Sequence, residues 1–200
     1  MSAAASQIRE ASHGDRPQLS AALAEAFFDD PVAAWAIRPE DLRTATLTNF
    51  YDEFLRQNLR HGTVWCDDAL TGAAIWAPPG EAKVSAADTV TLLRRLFHPR
   101  LAWRLPLLAW GAFKTEGRHP ERDFFYLAAL GVHPNGQGQG LGSKLLGPML
   151  EVCDEDRAAA YLESSKPENV PFYSRHGFRV VDQLTMPRGP EIWLMLREPA

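Results

Sequence analysis

The sequence of 200 residues has little cysteine and no excess of positive charge. Its two cysteines, Cys66 and Cys153, form neither a metal-ligand spacing nor a disulfide framework, so we expect two buried thiols in a reducing compartment. Twenty-one basic against 25 acidic residues give a net charge of -4. This balance argues against a nucleic-acid partner, because nucleic-acid-binding proteins usually present a basic face. No cluster of His, Cys and carboxylate residues indicates a metal.

Long apolar runs are also few. The N-terminus, Met-Ser-Ala-Ala-Ala-Ser, lacks the apolar core of a secretory signal. The most apolar stretch is "LAWRLPLLAWGAF" at residues 101–113, which is too short to span a bilayer and is interrupted by Arg104 and Pro106. A helical pair covering the core is the favoured interpretation, and a helix lying on a membrane surface is the alternative. We therefore expect a cytoplasmic protein without a membrane partner.

Strand and helix patterns alternate along the chain, without a repeat or a low-complexity linker, so one domain over residues 1–200 is predicted. The continuous apolar run at 124–132 predicts a strand buried on both faces. Together these patterns predict an α/β protein with a mixed sheet. Strands are predicted at 7–11, 63–66, 71–77, 124–132, 160–164, 178–184 and 191–196, and helices at 15–28, 39–59, 86–114 (broken at Pro99 and Pro106), 141–156 and 168–175.

A glycine-rich segment, "VHPNGQGQGLG" at residues 132–142, joins the predicted buried strand to the next helix. Glycines at 138, 140 and 142 leave the backbone bare at a helix N-terminus, where free N–H groups and a partial positive charge attract anions. A dinucleotide fingerprint fails, because the sixth position is Leu141 or Ser143 instead of glycine. A nucleoside triphosphate loop fails too, because Lys144 does not follow a glycine. What remains is a [Q/R]-x-x-G-x-[G/A] pattern over residues 137–142.

This pattern and the segment "YLESSKPENVPFYSRHGF" at 161–178 resemble the pyrophosphate loop and the following strand and short helix of the GNAT acetyltransferase superfamily. The chain is most similar to the puromycin N-acetyltransferase-like branch. That similarity rests on Leu162-Glu163, Pro167, Asn169, Pro171-Phe172-Tyr173, Gly177-Phe178 and a C-terminal "GPEIWLMLREP". Weaker similarity continues upstream through "AEAFFDDP" and "VWCDDALTGAAIWAPP". The resemblance implies a GNAT fold: a mixed, mostly antiparallel central sheet with splayed parallel middle strands, flanked by helices.

The same resemblance implies acetyl-CoA as co-substrate and a primary amine of a small molecule as acceptor. It assigns coenzyme binding to Leu130, Val132, Gln137, Gly138, Gln139, Gly140, Leu141, Gly142, Ser143, Asn169 and Phe172. It also makes Tyr173 the general acid toward the thioester sulfur. Reference pKa values of about 10 for tyrosine and about 8.5 for a thiol make full proton transfer about 2 kcal/mol uphill, so we expect Tyr173 to act mainly as a hydrogen-bond donor.

Glu163 is the candidate general base, because a carboxylate is rarely placed near the end of an apolar strand unless it has a partner or a function there. An ion pair between Glu163 and a surface basic residue is the alternative. Three histidines are weaker candidates: His133 and His176 fall in turns expected to be solvated, whereas His119 precedes the buried strand and could face the acceptor.

The acceptor wall in the resembled family lies between the first two helices. Phe28, Asp30 and Trp35 occupy that region here, and Tyr126 projects from the buried strand. Aromatic residues in such a cluster also suit a core, which is the alternative interpretation. Two other function classes remain open: a non-catalytic acyl-CoA-binding regulator, and an O-acyltransferase or protein N-acetyltransferase.

Overall fold

Seven strands form one sheet in the computed structural model, which describes residues 7–81, 90–91, 94–95 and 98–200. They are β1 (Ile8–Glu10), β2 (Val64–Asp67), β3 (Gly72–Ala77), β4 (Phe124–Val132), β5 (Ala159–Ser164), β6 (Arg179–Thr185) and β7 (Glu191–Arg197). Their order across the sheet is β1-β2-β3-β4-β5-β7-β6. Each of these neighbouring pairs is antiparallel except β4 and β5, which are parallel. The predicted mixed, mostly antiparallel sheet is confirmed.

The parallel pair is joined over only part of its length. Residues pair from Phe124 with Ala159 as far as Leu127 with Leu162, although β4 continues to Val132. The register between β3 and β4 shifts at the same level, because Ile75 pairs with Ala129 and Trp76 pairs with Leu127. An unpaired residue of this kind bends its strand and increases the local twist. The two middle strands therefore separate just beyond the bulge.

Helices cover both faces of the sheet. They are α1 (Arg16–Ala26), α2 (Pro31–Ala36), α3 (Arg43–Asn58), α4 (Pro99–Ala102), α5 (Leu105–Glu116), α6 (Leu141–Glu155) and α7 (Val170–Ser174). On one face, Leu23 of α1 and Leu55 of α3 pack with Ile75. On the other face, Leu145 and Met149 of α6 pack with neighbouring strand residues such as Trp76 and Leu162. Ile75 and Trp76 point to opposite faces because successive strand side chains alternate.

The helices differ from the predicted ones in two places. Helix α2 was not predicted from the sequence, although Asp30 caps it and Pro31 occupies its first turn, which is a recognised start signal. In place of the single helix predicted over 39–59, the structure has a short 3-10 turn at Glu40–Leu42 followed by α3. Part of the helix predicted at 86–114, namely residues 86–89, 92–93 and 96–97, lies outside the described residues.

The predicted breaks at two prolines are confirmed, since each proline lies in the first turn of a new helix: Pro99 begins α4, and Pro106 is the second residue of α5. Between these helices the Arg104 side chain is buried, and its guanidinium lies over the rings of Trp35 and Trp103. Leu107 and Leu108 of α5 pack against the core. In the described part of the chain, no helix is both long and apolar enough to cross a membrane.

The C-terminal strand is held by one arginine. Arg197 of β7 makes a two-pronged ion pair with Asp154 of α6, at 2.8 and 2.7 Å, and its Nε donates to the carbonyl of His176 at 3.1 Å. The backbone N–H of Ala200 also donates to Asp154, at 2.7 Å. These bonds hold the pKa of Asp154 below its usual range, the Arg197 hydrogen bond being the largest cause. One side chain thus ties β7, α6 and the turn after α7 together.

We expect Asp154→Asn to lower the free energy of unfolding by about 1 kcal/mol at pH 7, since a two-pronged pair is strong but this carboxylate is partly exposed. The melting temperature should fall by about 2–4 °C. A carboxyl whose pKa is lowered by folding stabilises the fold above its unfolded pKa of about 3.9 and loses that effect as pH falls through the folded value. The difference in free energy of unfolding between wild type and variant, measured by urea titration, should therefore become smaller below about pH 4.

Glu155→Gln is the matched control, because it removes an exposed charge from the neighbouring position of α6. A loss of stability in this control equal to that in Asp154→Asn would show that general charge, and not the Arg197 contact, carries the effect.

Candidate active site

The glycine-rich loop leads from β4 into α6 with an open backbone. Gly138 and Gly140 have φ angles of +76° and +77°, in the left-handed region that favours glycine, and Gly140 is the N-cap of α6. A Cβ added at either position would meet nothing within 4 Å, so both positions face open space. Within the described residues, no hydrogen bond joins the amides of residues 138–143 to another backbone group. Six neighbouring N–H groups at a helix N-terminus are therefore free to bind an anion.

The loop is held from its β4 side. The His133 amide donates to the Thr71 carbonyl at 2.7 Å, and the Gln137 side chain donates to the Val132 carbonyl at 2.9 Å. Gln139 makes a longer bond, 3.5 Å, to the carbonyl of Asn135. The side chains of both predicted glutamines thus brace the loop itself. On β4, Leu130 and Val132 pack against the core under α6 and lie beyond the last pair with β5.

Helix α7 packs on the first turn of α6. The Phe172 ring lies 3.3 Å from the place a Cβ on Gly142 would occupy, so a side chain at 142 would press on this ring. Ser143 Oγ and His176 Nε2 are 3.0 Å apart. Asn169 is exposed at the end of the short turn before α7. The structure therefore brings the predicted coenzyme residues of the loop and of α7 into contact at Gly142 and Phe172.

Tyr173 of α7 is buried, with 8% of its surface exposed. Its ring packs edge-on against Phe172 and Phe178, at centroid distances of 5.1 and 6.0 Å. Burial and, secondly, the Asp30 carboxylate raise the pKa of Tyr173 above its ordinary value. A phenol in this environment remains neutral at physiological pH and can donate a hydrogen bond.

Asp30 joins α2 to the end of β5. One of its carboxylate oxygens accepts from the amides of Val32 and Ala33, at 2.8 and 3.1 Å, and the other accepts from the hydroxyl of Ser165. The side chain is buried. This predicted acceptor residue therefore has its oxygens engaged within the protein, as a helix cap and as a link to the residue after β5.

The predicted aromatic residues do not form one wall. The Phe28 ring is half-buried and lies 4.9 Å from the guanidinium of Arg43. Trp35 is buried, and its Nε1 donates to the Pro187 carbonyl at 3.1 Å. Trp35 belongs to a core cluster that contains Tyr161 and against which Tyr126 packs. Trp35 is thus a core residue, whereas Tyr126 lies beside the candidate general base, Glu163.

Glu163 is the first β5 residue beyond the last pair with β4, and its carboxylate contacts a histidine. Glu163 Oε1 and His119 Nε2 are 3.1 Å apart, and the side chains are 16% and 13% exposed. The alternative of an ion pair with a surface basic residue is thus replaced by a contact with a largely enclosed imidazole. The Tyr161 hydroxyl is fully buried without a hydrogen-bond partner among the described residues, and burial with the nearby Glu163 charge raises its pKa.

Sequence reasoning gave no reason to pair His119 with Glu163, because they are 44 positions apart and share no motif. The other two histidines differ from their predicted setting, since both are half-buried. His133 accepts from the amide of Asn135 at 3.3 Å, and burial lowers the pKa of His176. Among the described residues, no group of three or more His, Cys, Asp or Glu side chains could hold a metal ion.

Comparison with known proteins relates the chain to acetyltransferases. Residues 111–195, from within α5 into β7, match the model of the acetyltransferase (GNAT) domain. An uncharacterized N-acetyltransferase of Schizosaccharomyces pombe is 26% identical over 212 aligned residues, which cover 92% of this chain and 80% of that protein.

Two solved structures share the fold over almost the whole chain. A structure from Corynebacterium glutamicum, described as histone acetyltransferase HPA2 and related acetyltransferase, has a TM-score of 0.70 at 20% identity, covering 98% of this chain and 97% of its own. The Drosophila melanogaster polyamine N-acetyltransferase has a TM-score of 0.65 at 17% identity, covering 96% and 99%. Residues 111–195 thus match a GNAT acetyltransferase domain model, and the whole chain shares the fold of these solved acetyltransferases.

Proposed function

We propose that this protein is an acetyl-CoA-dependent N-acetyltransferase that acetylates a primary amine of a small molecule, in the puromycin N-acetyltransferase-like branch of the family. The observation that carries the proposal is the joining of an open anion-binding loop to a buried, neutral tyrosine through the contact of Gly142 with Phe172. The names of two relatives favour nitrogen as the acceptor atom: the yeast protein is an N-acetyltransferase, and the fly enzyme forms N-acetylagmatine.

The residues present fit acetyl-CoA, which supplies the activated acetyl group when bound. The free amides of residues 138–143 suit its pyrophosphate, because they are donors at a helix N-terminus without side chains in the way. The backbone of β4 at Leu130 and Val132 lies past the last pair with β5, so its edge is open to an amide-bearing chain. Asn169 and Phe172 lie on the α7 side of the same region.

Tyr173 stabilises the leaving thiolate by donating a hydrogen bond. Burial and, secondly, the Asp30 carboxylate raise the pKa of Tyr173, which makes complete proton transfer to sulfur still less favourable than the reference values imply. Glu163, at the mouth of the gap between β4 and β5, belongs to the general base that takes the proton of the amine.

We expect Gly140→Val to weaken coenzyme A binding by at least about tenfold, measured by calorimetry. A branched side chain at φ +77° is strained by about 1–2 kcal/mol, and its Cβ enters the open space in front of the amides. Gly147→Ala is the control, since that glycine is inside α6 with nothing within 4 Å, and it should keep its affinity. A folded Gly140→Val variant that binds as well as wild type would contradict the loop assignment.

For Tyr173→Phe, we expect kcat to fall by about 10²–10⁴ while coenzyme A affinity stays constant, because the ring packing is kept and only the hydroxyl is lost. Since the pKa of this tyrosine is raised, its ionisation should cause no decline in the wild-type rate below about pH 10. Stopped-flow measurement of the acetyl-transfer step gives the rate and its pH dependence, and calorimetry gives the coenzyme A affinity. Wild-type speed in the variant, with chemistry shown to limit the rate, would remove Tyr173 from the mechanism.

The acceptor class is tested by thiol release from acetyl-CoA with a panel of small primary amines, small alcohols and lysine-containing histone peptides. We expect turnover with amines that carry an apolar group, since the aromatic residues Tyr126 and Phe28 are half-buried near the predicted acceptor region. Turnover of peptides or alcohols without any small amine would overturn the acceptor class. Binding of coenzyme A without turnover of any acceptor would favour the regulator.

A further inference from the structure

The His119 side chain, which contacts Glu163, is packed among three aromatic rings. The ring of His119 lies 5.3 to 5.7 Å, centroid to centroid, from those of Phe124, Tyr126 and Tyr161. Two of these contacts are edge-on, which fixes the plane of the imidazole. The histidine is therefore held in one orientation by aromatic side chains of β4 and β5.

The loop that carries His119 is fastened on both sides. Arg118 forms an ion pair with Asp182 of β6, and Arg122 pairs with Glu198, just after β7, at 2.7 Å. The Arg118 amide also donates to the Thr115 carbonyl at 2.9 Å. A residue in a loop between α5 and β4 is thus placed against the end of β5 by contacts to the C-terminal strands.

The chemistry of the pair follows from which nitrogen faces the carboxylate. Nε2 is the nitrogen within 3.1 Å of Glu163 Oε1, so an N–H on Nε2 donates to the carboxylate and leaves Nδ1 as the acceptor of a proton. Among the described residues, Nδ1 makes no hydrogen bond. A carboxylate that holds one ring nitrogen in this way also stabilises the imidazolium formed when the other takes a proton.

The two tyrosines beside the pair do not compete for that proton. Burial, and secondly the Glu163 charge, raise the pKa of both Tyr126 and Tyr161, so both remain neutral phenols. The cluster therefore holds one carboxylate, one imidazole and two neutral hydroxyls at the point where β4 and β5 separate.

We propose that His119 and Glu163 act as one base, in which His119 Nδ1 takes the proton of the attacking amine and Glu163 stabilises the resulting imidazolium. The inference rests on the proposed N-acetyltransferase function and assigns a residue to its proton-transfer step. In that step the amine nitrogen forms a bond to the acetyl carbon and the carbon–sulfur bond breaks. The electron pair leaves with sulfur, and the proton from nitrogen goes to His119, from which solvent later removes it.

The test compares His119→Gln, His119→Ala, Glu163→Gln and the double variant His119→Gln/Glu163→Gln on amines of different pKa. Glutamine keeps an N–H donor toward Glu163 but cannot take a proton. We therefore expect His119→Gln to lose about 10²-fold in kcat, with the largest loss for strongly basic amines. Added imidazole should restore part of the rate of His119→Ala. The double variant should be no more than about threefold slower than the worse single variant, since residues that act as a unit are non-additive.

Coenzyme A affinity by calorimetry should not change in these variants, because among the described residues no hydrogen bond or ring contact joins His119 or Glu163 to the loop or to α7. The melting temperature serves to show that each variant is folded at the assay temperature. The control is His61→Gln, which changes an exposed histidine outside the site and should keep wild-type kinetics.

Each result decides between the possible roles. A His119→Gln variant with wild-type kcat would overturn the relay and leave Glu163 as the direct base. An equal loss for all amines, without rescue by imidazole, would also overturn it and reduce His119 to a packing residue. Failure of the wild-type protein to acetylate any amine would instead overturn the proposed function itself, and the two failures are distinguished by the wild-type measurement.

Discussion

The separation of β4 from β5 after Leu127 and Leu162 is the constraint on which the candidate site depends. A parallel pair in the middle of a sheet normally satisfies its backbone groups along its full length. Here the pairing stops after four residue pairs, because the register shift against β3 bends β4 at that level. Strand β4 then continues for five further residues with one edge unpaired, and the glycine-rich loop follows directly. Glu163, Leu130 and Val132 lie at this opening, and the loop begins at its end.

Both walls of the opening are held by contacts outside it. On the α6 side, Phe172 rests on Gly142, while Arg197 binds Asp154 and the carbonyl of His176. On the other side, ion pairs on the C-terminal strands place the loop of His119. Glu163 lies on the face that Tyr161 shares, whereas Tyr173 packs with Leu162 on the opposite face. The candidate base and the candidate acid thus approach the gap from different sides of the sheet.

The features that were predictable from sequence are those encoded locally. A few consecutive residues are enough to recognise the apolar run of β4, the alternating strands and the glycines of the loop. By contrast, α2 was missed because its six residues carry no helical period, and its only signal is the Asp30-Pro31 start. The pairing of His119 with Glu163 depends on how the loop before β4 meets β5, which no spacing encodes. The aromatic cluster was ambiguous for the same reason, and Trp35 belongs to the core.

Asp30 contributes to two properties of the protein at once, although burial is the larger cause of the raised Tyr173 pKa. Its carboxylate caps α2 and binds Ser165, and its charge also raises the pKa of Tyr173. A change at Asp30 consequently affects both the pKa of Tyr173 and the anchoring of α2. A neutral replacement would make Tyr173 more acidic and at the same time loosen α2 from the end of β5. Mutations that change the Tyr173 pKa without loosening α2 must therefore arise at other positions.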